Sequence, residues 1–166
     1  MESRKLFVPA VVCLVATAIV LGLWVLPSSA APPKFVKLEV VGLWGSPVGE
    51  ESIDGGEVDE TIVKALQERL KLKQLEVIDT AHFTGHGATW YCKFGEDNDN
   101  LKDKRLMLEA HFNGRQEKCL NMGLVVKAGE ATVLQRNLVL EYDKPRVEFQ
   151  KAGDGFLIFV LTASPW

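Results

Sequence analysis

Apolar residues return at every second position in the segment FVKLEVVGLW (35–44), with Val36, Leu38 and Val40 on one face and Phe35 and Lys37 beginning the other. That period is the pattern of a half-buried strand. GSPVG closes the segment with turn residues, and Glu50, Glu51, Asp54, Glu57, Asp59 and Glu60 follow with no basic residue among them. Gly55-Gly56 within that acidic run predicts a solvated loop rather than a rigid site. The period then changes. Ile62, Leu66 and Leu70 recur four apart, Val63 and Ala65 widen the stripe, and Asp59 stands where an N-cap belongs. The spacing predicts one amphipathic helix over residues 59–70, with Glu60 and Lys64 on its exposed side.

Alternation resumes in KLKQLEVID, where Leu75 and Val77 oppose Gln74 and Glu76. Further strands are predicted between turn signals. ATWYCKF (88–94) runs into GEDNDN, and RLMLEAHF (105–112) into Asn113-Gly114. CLNMGLVVK (119–127) precedes AGE, TVLQRNLVLEY (132–142) precedes DKP, and RVEF (146–149) precedes KAGDG. Asn-Gly is the strongest short hairpin signal. FLIFVLTA (156–163) is apolar on both faces, which predicts an interior strand covered from both sides. One helix among about seven strands defines an α+β class, a mostly antiparallel sheet or sandwich with the helix packed on it.

The first thirty residues follow another rule. Arg4 and Lys5 precede an uncharged run over residues 10–26, interrupted only by Thr17 and Gly22. Ser28 and Ala30 are small residues at the positions a signal peptidase reads, which puts a cut after Ala30. The run of 17 residues is longer than the roughly 7–15 of a signal segment and shorter than the about 20 of a spanning helix. The expectation is a signal peptide over residues 1–30, with an uncleaved membrane anchor as the alternative, and a single domain over 31–166. The protein is then exported, either periplasmic or secreted, or else tethered to the inner membrane by residues 6–26. Cys13, in the middle of the run, reads as a small apolar residue. Removing Glu2, Arg4 and Lys5 from the 19 basic and 22 acidic residues leaves 17 and 21. That balance gives no support for nucleic acid as a partner.

Two cysteines remain beyond the leader, Cys92 and Cys119, 27 positions apart. In an exported chain they are a disulfide candidate, and a loop of that length would contribute roughly 3 kcal/mol. Two separate buried thiols are the alternative, because Cys92 alternates with Trp90 and Phe94 on one strand face. HFTGHGATWYCKF (82–94) holds the best chemical lead. His82 and His86, with His111 further along, are candidate metal ligands. Gly85 and Gly87 favour a turn over the helix that would bring His82 and His86 onto one face, and no C-x-x-C is present. A polar strand-to-strand connection without a metal is the simpler reading. DNDNLKDK (97–104) begins like a calcium loop, but Lys102 stands where glycine is needed and Leu108 where the closing glutamate belongs. Ser46, Ser52 and Ser164 are the only serines of the domain, and none lies in G-x-S-x-G. No glycine-rich loop leads into a helix to hold phosphate. No catalytic residue and no cofactor are assigned. Trp166 ends the sequence as barrel proteins of outer membranes do, but Pro165 breaks the strand before it. Trp166 is expected to pack on the domain edge.

The order of segments from 62 to 163 resembles small β-rich bacterial envelope proteins related to the secretins, the ring-forming channels of secretion and pilus systems. The resemblance runs from the helix IVKALQERL to QLEVIDTAHF, then RLMLEAHF, VLQRNLVLEYDKPRVEF and the closing DGFLIFVLTA. It implies a non-catalytic assembly or accessory module that meets a protein partner in the cell envelope, by sheet-edge pairing. The chain is too short for pore strands and ring-building domains together. Membrane contact would come only through an uncleaved N-terminal segment. Two other functions stay open on the residues alone: a small metal-dependent hydrolase or metal carrier using His82 and His86, and a binder of a small apolar ligand between the sheet layers.

Overall fold

The first strand shows how the chain is layered. The structure is a computed structural model describing residues 35–85, 88–96 and 106–166. In β1 (Val36–Ser46) the residues Val36, Leu38 and Val40 are buried in one apolar cluster, and Val41 and Leu43 in a second on the opposite face. A strand buried on both faces needs a layer on each side. One layer is the helix α1 (Glu60–Leu70), and the other is a second sheet.

Among the described residues nine strands make up the two sheets. After β1 come β2 (Ser52–Ile53), β3 (Gln74–Gly85), β4 (Thr89–Phe94), β5 (Leu106–Arg115), β6 (Cys119–Ala128), β7 (Ala131–Glu141), β8 (Arg146–Ala152) and β9 (Gly155–Pro165). The five-stranded sheet has the order β2-β3-β1-β9-β8, and the four-stranded sheet β4-β5-β6-β7. Among the described residues the strand pairings are antiparallel except the two-residue contact of β2 with β3, and an isolated parallel bridge joins Tyr142 to Ala163. The class is α+β, as the alternation predicts. β9 lies inside its sheet between β1 and β8. Leu157, Phe159, Leu161 and Ala163 enter the core between the sheets, and Ile158 and Val160 enter the core under the helix.

The helix forms where its stripe and caps place it. The Asp59 carboxylate accepts from the Thr61 backbone N–H at 2.7 Å, and Lys71 ends the helix in the left-handed region. The hydrogen bonds from Thr61 hold the Asp59 carboxyl below its ordinary pKa. Leu66 is the fully buried anchor, with Ile62, Val63 and Leu70 partly buried around it. Arg69 lies 5.2 Å over the Phe149 ring, within the range of a cation–π contact. No helix among the described residues is long and apolar enough to cross a membrane.

Three local features depart from the sequence expectation. β3 runs to Gly85, so His82 stands on a strand and not in the connection that follows it. Its continuation is held by β1, where Val36 pairs with Gly85 and Glu39 with His82. The β1–β3 register slips at Gly42/Leu43, leaving Ile78 as the extra residue. A bulge of this kind reverses the facing of every side chain beyond it. Leu75 and Val77 therefore serve the helix-side core, whereas Ala81 and Phe83 serve the core between the sheets. Asn113-Gly114 is likewise not the hairpin turn. Both residues belong to β5, which slips register between Phe112 and Gly114. The chain reverses at residues 116–118, where the Gln116 N–H donates to the Cys119 carbonyl at 2.9 Å. The Trp166 ring meets Phe35 edge-on at 6.0 Å, its backbone N–H donates to the Phe35 carbonyl at 3.0 Å, and 75% of its surface stays exposed.

Gly42 is required by its neighbour on the facing sheet. A Cβ there would lie 2.0 Å from Cε1 of Phe94, an aromatic ring that is itself buried. Gly42→Ala is expected to destabilise the domain by about 1–3 kcal/mol through overpacking. Leu66→Ala, which empties the anchor of the helix, is expected to cost about 2–5 kcal/mol. Urea midpoints measure both. A Leu66→Ala midpoint equal to that of the parent would detach the helix from this core.

Candidate functional site

The polar groups of the domain gather on the outer face of the four-stranded sheet. Period-two alternation places Glu109 and His111 on the same face of β5, with Thr89 opposite His111 on β4. Lys127 stands diagonal to Glu109, because its direct partner on β5 is Met107. The side chains close this pattern into a chain of contacts. Thr89 Oγ1 is 3.0 Å from His111 Nδ1, His111 Nε2 is 3.5 Å from Glu109 Oε2, and Lys127 Nζ donates to Glu109 Oε1 at 2.6 Å. Gly123 lies across from His111 on β6. Glu109 is buried although the face is otherwise half open. The hydrogen bond from Lys127 outweighs its desolvation and, with the imidazole beside it, holds the carboxyl below its ordinary pKa.

A hydroxyl, an imidazole and a carboxylate in series is the order of a nucleophilic triad. The setting here is a sheet face, and the carboxylate is engaged by an ammonium as well as by the ring. The described cavities lie elsewhere. One of about 400 Å³ is lined by residues of the β7–β8 corner, including Val139, Glu141 and Arg146. One of about 330 Å³ lies beside Trp44, Ser52 and Gln74, and one of about 290 Å³ between the acidic loop and α1. The contacts from Thr89 through His111 and Glu109 to Lys127 link β4, β5 and β6.

The histidines of the sequence lead do not meet. His82 projects from β3 in the five-stranded sheet, its Nδ1 3.7 Å from Glu39 Oε2 on β1. His111 belongs to the four-stranded sheet, and His86 and the segment DNDNLKDK lie outside the described residues. Among the described residues no group of three or more His, Cys, Asp or Glu is placed to hold a metal.

The disulfide candidate is corrected. Cys92 and Cys119 are both free. Cys92 pairs with Leu108 on β5, and Leu108 with Val126 on β6. Cys119 opens β6 seven positions away, which is roughly 23 Å along the strand. A disulfide needs Cα atoms within about 7 Å. Cys92 instead packs against the inter-sheet core beside Trp90. Burial, with a smaller push from Asp79, raises its thiol to about 11, so at neutral pH it is an inert thiol and not a nucleophile. Cys119 donates to Gln116 Oε1 at 3.4 Å.

The two open sides of the sandwich differ. On one side lie the edge strands β7 and β8. Arg136 shares the strand parity of Leu134 and Leu138, and Glu148 and Arg146 face inward opposite Phe159 and Leu161. Arg136 Nε is 3.8 Å from Glu148 Oε2, and Arg146 Nε donates to Glu148 Oε1 at 2.9 Å. Inward-pointing charges of this kind guard an edge against further pairing. On the other side lie β3 and β4. Phe83 stacks on Trp90 at 5.0 Å, and Phe112 meets Trp90 edge-on at 4.1 Å. Here β2 covers only Gln74 and Leu75 of β3. Among the described residues, 76–85 find a strand partner only in β1.

Sequence reasoning missed Glu109, Lys127 and the Arg136–Glu148–Arg146 group. The shared face of Glu109 and His111 was readable from their spacing of two. The diagonal to Lys127 and the bridge between sheets were not, because both depend on register and layer order. No family model, no curated protein and no solved structure matches this chain.

The lowered pKa of Glu109 has a definite sign in stability. Its contribution is present above the unfolded carboxyl value of about 4.3 and is lost as pH falls through the lower folded value. Glu109→Gln is therefore expected to be less stable than the parent at neutral pH, with the gap shrinking below about pH 4. Urea midpoints across that range measure it, and a gap that does not change with pH would count against the Lys127–Glu109 bond as its source.

Proposed function

We propose that this is an exported envelope domain with a non-catalytic role, an interaction or assembly module that meets a protein partner by adding a strand to the β3 edge. The observation that carries the reading is the contrast between the two open sides. The β7–β8 side carries an inward Arg–Glu–Arg group across both edge strands. The β3 side has a strand of 12 residues whose covering partner β2 has only two. A long strand with so short a covering partner is a template for an incoming strand. The likeness in segment order to secretin-related envelope proteins agrees with an assembly role, and the apolar run over 10–26 agrees with export.

The hydrolase or metal-carrier reading loses His111 as a further ligand beside His82, since the two belong to different sheets. The apolar-ligand reading would need room between layers that Phe94, Phe159, Leu108 and Leu124 fill.

Site-specific photo-crosslinkers at Thr80 and Thr84, compared with Gln135 and Asn137 on β7, test the proposal in cells. Crosslinks to one discrete protein from the β3 positions, and few from β7, are expected. The reverse distribution, or equal labelling of both edges, would refute the edge assignment.

A further inference from the structure

The cavity at the β7–β8 corner holds more positive charge than the guarded edge consumes. Its volume is about 400 Å³, and it is lined by Val139, Glu141, Lys144, Pro145, Arg146 and Val147. Cavities of roughly 300–1,000 Å³ hold small molecules, with apolar walls and a few polar groups that fix orientation. The corner that carries these residues is pinned. The Tyr142 N–H donates to the Lys118 carbonyl at 3.0 Å, and the Asp143 N–H to the Ala163 carbonyl at 2.7 Å. Pro145, between the two cations, has its φ fixed by its ring. Lys144 and Arg146 are thus presented by a held turn and not by a loose loop.

The two cations are occupied to different degrees. Arg146 donates through Nε to Glu148 Oε1 at 2.9 Å, and the Glu148 side chain is only 15% exposed. That bond orients the guanidinium and leaves its Nη groups without a hydrogen-bond partner among the described residues. Lys144 Nζ donates to Glu141, but the two side chains are 71% and 61% exposed. An exposed ion pair of this kind contributes little, so an incoming anion can share the ammonium. The lining sets two positive charges against one negative. A guanidinium anchored at Nε with free Nη ends matches the planar fork of a carboxylate. Val139, 55% exposed on β7, and Pro145 add apolar surface beside it, which a bare inorganic anion would leave unused.

We propose that the β7–β8 corner binds a small carboxylate that carries an apolar group. Arg146 Nη and Lys144 Nζ take the carboxylate, and Val139 with Pro145 takes the apolar group. A free acylated amino acid and the C-terminal residue of a peptide both present this chemistry. The inference is independent of the β3-edge reading, because it uses residues on the opposite flank and a different measurement.

The test uses the full chain in a neutral maltoside detergent, with isotope-labelled valine methyl groups, and follows the Val139 resonances by NMR. N-acetyl-leucine is expected to shift them saturably, and N-acetyl-leucinamide, which lacks the charge, is expected to leave them in place. Lys144→Gln is expected to weaken binding of the acid roughly tenfold. Arg146→Lys keeps a charge near Glu148 but loses the fork, and is expected to weaken it as much. Lys144 is an exposed turn residue, so its variant reads the site even if Arg146→Lys unfolds. A short peptide ending in leucine, set against its amidated form, separates the two sources. Tighter binding than N-acetyl-leucine supports the proposal with a peptide terminus as ligand, and weaker binding supports it with a free acid. No shift from the acid, an equal shift from the amide, or tighter binding of inorganic phosphate would overturn the proposal, as would an undiminished affinity in Lys144→Gln.

Discussion

The five-stranded sheet has to be buried on both faces, and each face has a different cover. β1 and β9 carry apolar side chains to both sides, so neither face can stay open to water without a large loss of hydrophobic free energy. The four-stranded sheet covers one face along the length of the strands. The eleven-residue helix is short, and it covers only the half of the other face that holds Val41, Leu43, Ile158 and Val160. Beyond its reach the outer side chains turn polar, to Lys37, Glu39, His82 and Thr84. The change from apolar to polar along that face follows the length of the helix.

The extra residue at Ile78 makes this arrangement possible for β3. Without it, Leu75, Val77, Ala81 and Phe83 would all point to one side. With it, the first pair meets the helix and the second meets Trp90 in the other sheet. Gly42, facing Phe94, is the matching concession on β1, a missing side chain where an aromatic ring crosses from the opposite sheet. One added residue and one absent side chain thus let the two sheets pack face to face.

Electrostatics in this domain works mainly on strands. Glu109 is held by Lys127 and His111 across the face of one sheet, and Glu148 is held by Arg136 and Arg146 across the gap between two. Both carboxylates are largely shielded from water, so each partner is required by the cost of leaving a shielded charge alone. The first group, with Thr89 bonded to His111, fastens three neighbouring strands. The second closes one flank of the sandwich with charge, where the opposite flank is closed by aromatic rings. The β3 edge has one inward carboxylate, Asp79, whose Oδ2 accepts from the Gly95 N–H at 3.4 Å, against the three inward charges of the β7–β8 edge, and the two are unequal invitations to a further strand.

Local period and local chemistry were enough to determine eight of the nine described strands, the helix, the N-cap at Asp59 and the interior position of β9, whereas β2 (Ser52–Ile53) falls in the stretch that reads as a solvated loop. Each of these rests on side chains that are neighbours in sequence: alternation by two, recurrence by four, a carboxylate two residues from the N–H it accepts. Packing of Cys92 beside Trp90 was readable in the same way. What lay beyond the sequence was every feature that depends on which strand lies next to which. A bulge displaces a residue only relative to its partner strand, so neither Ile78 nor Asn113 could announce itself, and Asn113-Gly114 looked like the turn it is not. The distance from Cys92 to Cys119 is set by the register of β4, β5 and β6 together, and that register keeps the thiols apart. The separation of His82 from His111 into two sheets, the diagonal from Lys127 to Glu109 and the bridge from Arg136 to Glu148 have the same origin. They are long-range contacts, and the tertiary structure decided them because no short stretch of chain contains both partners.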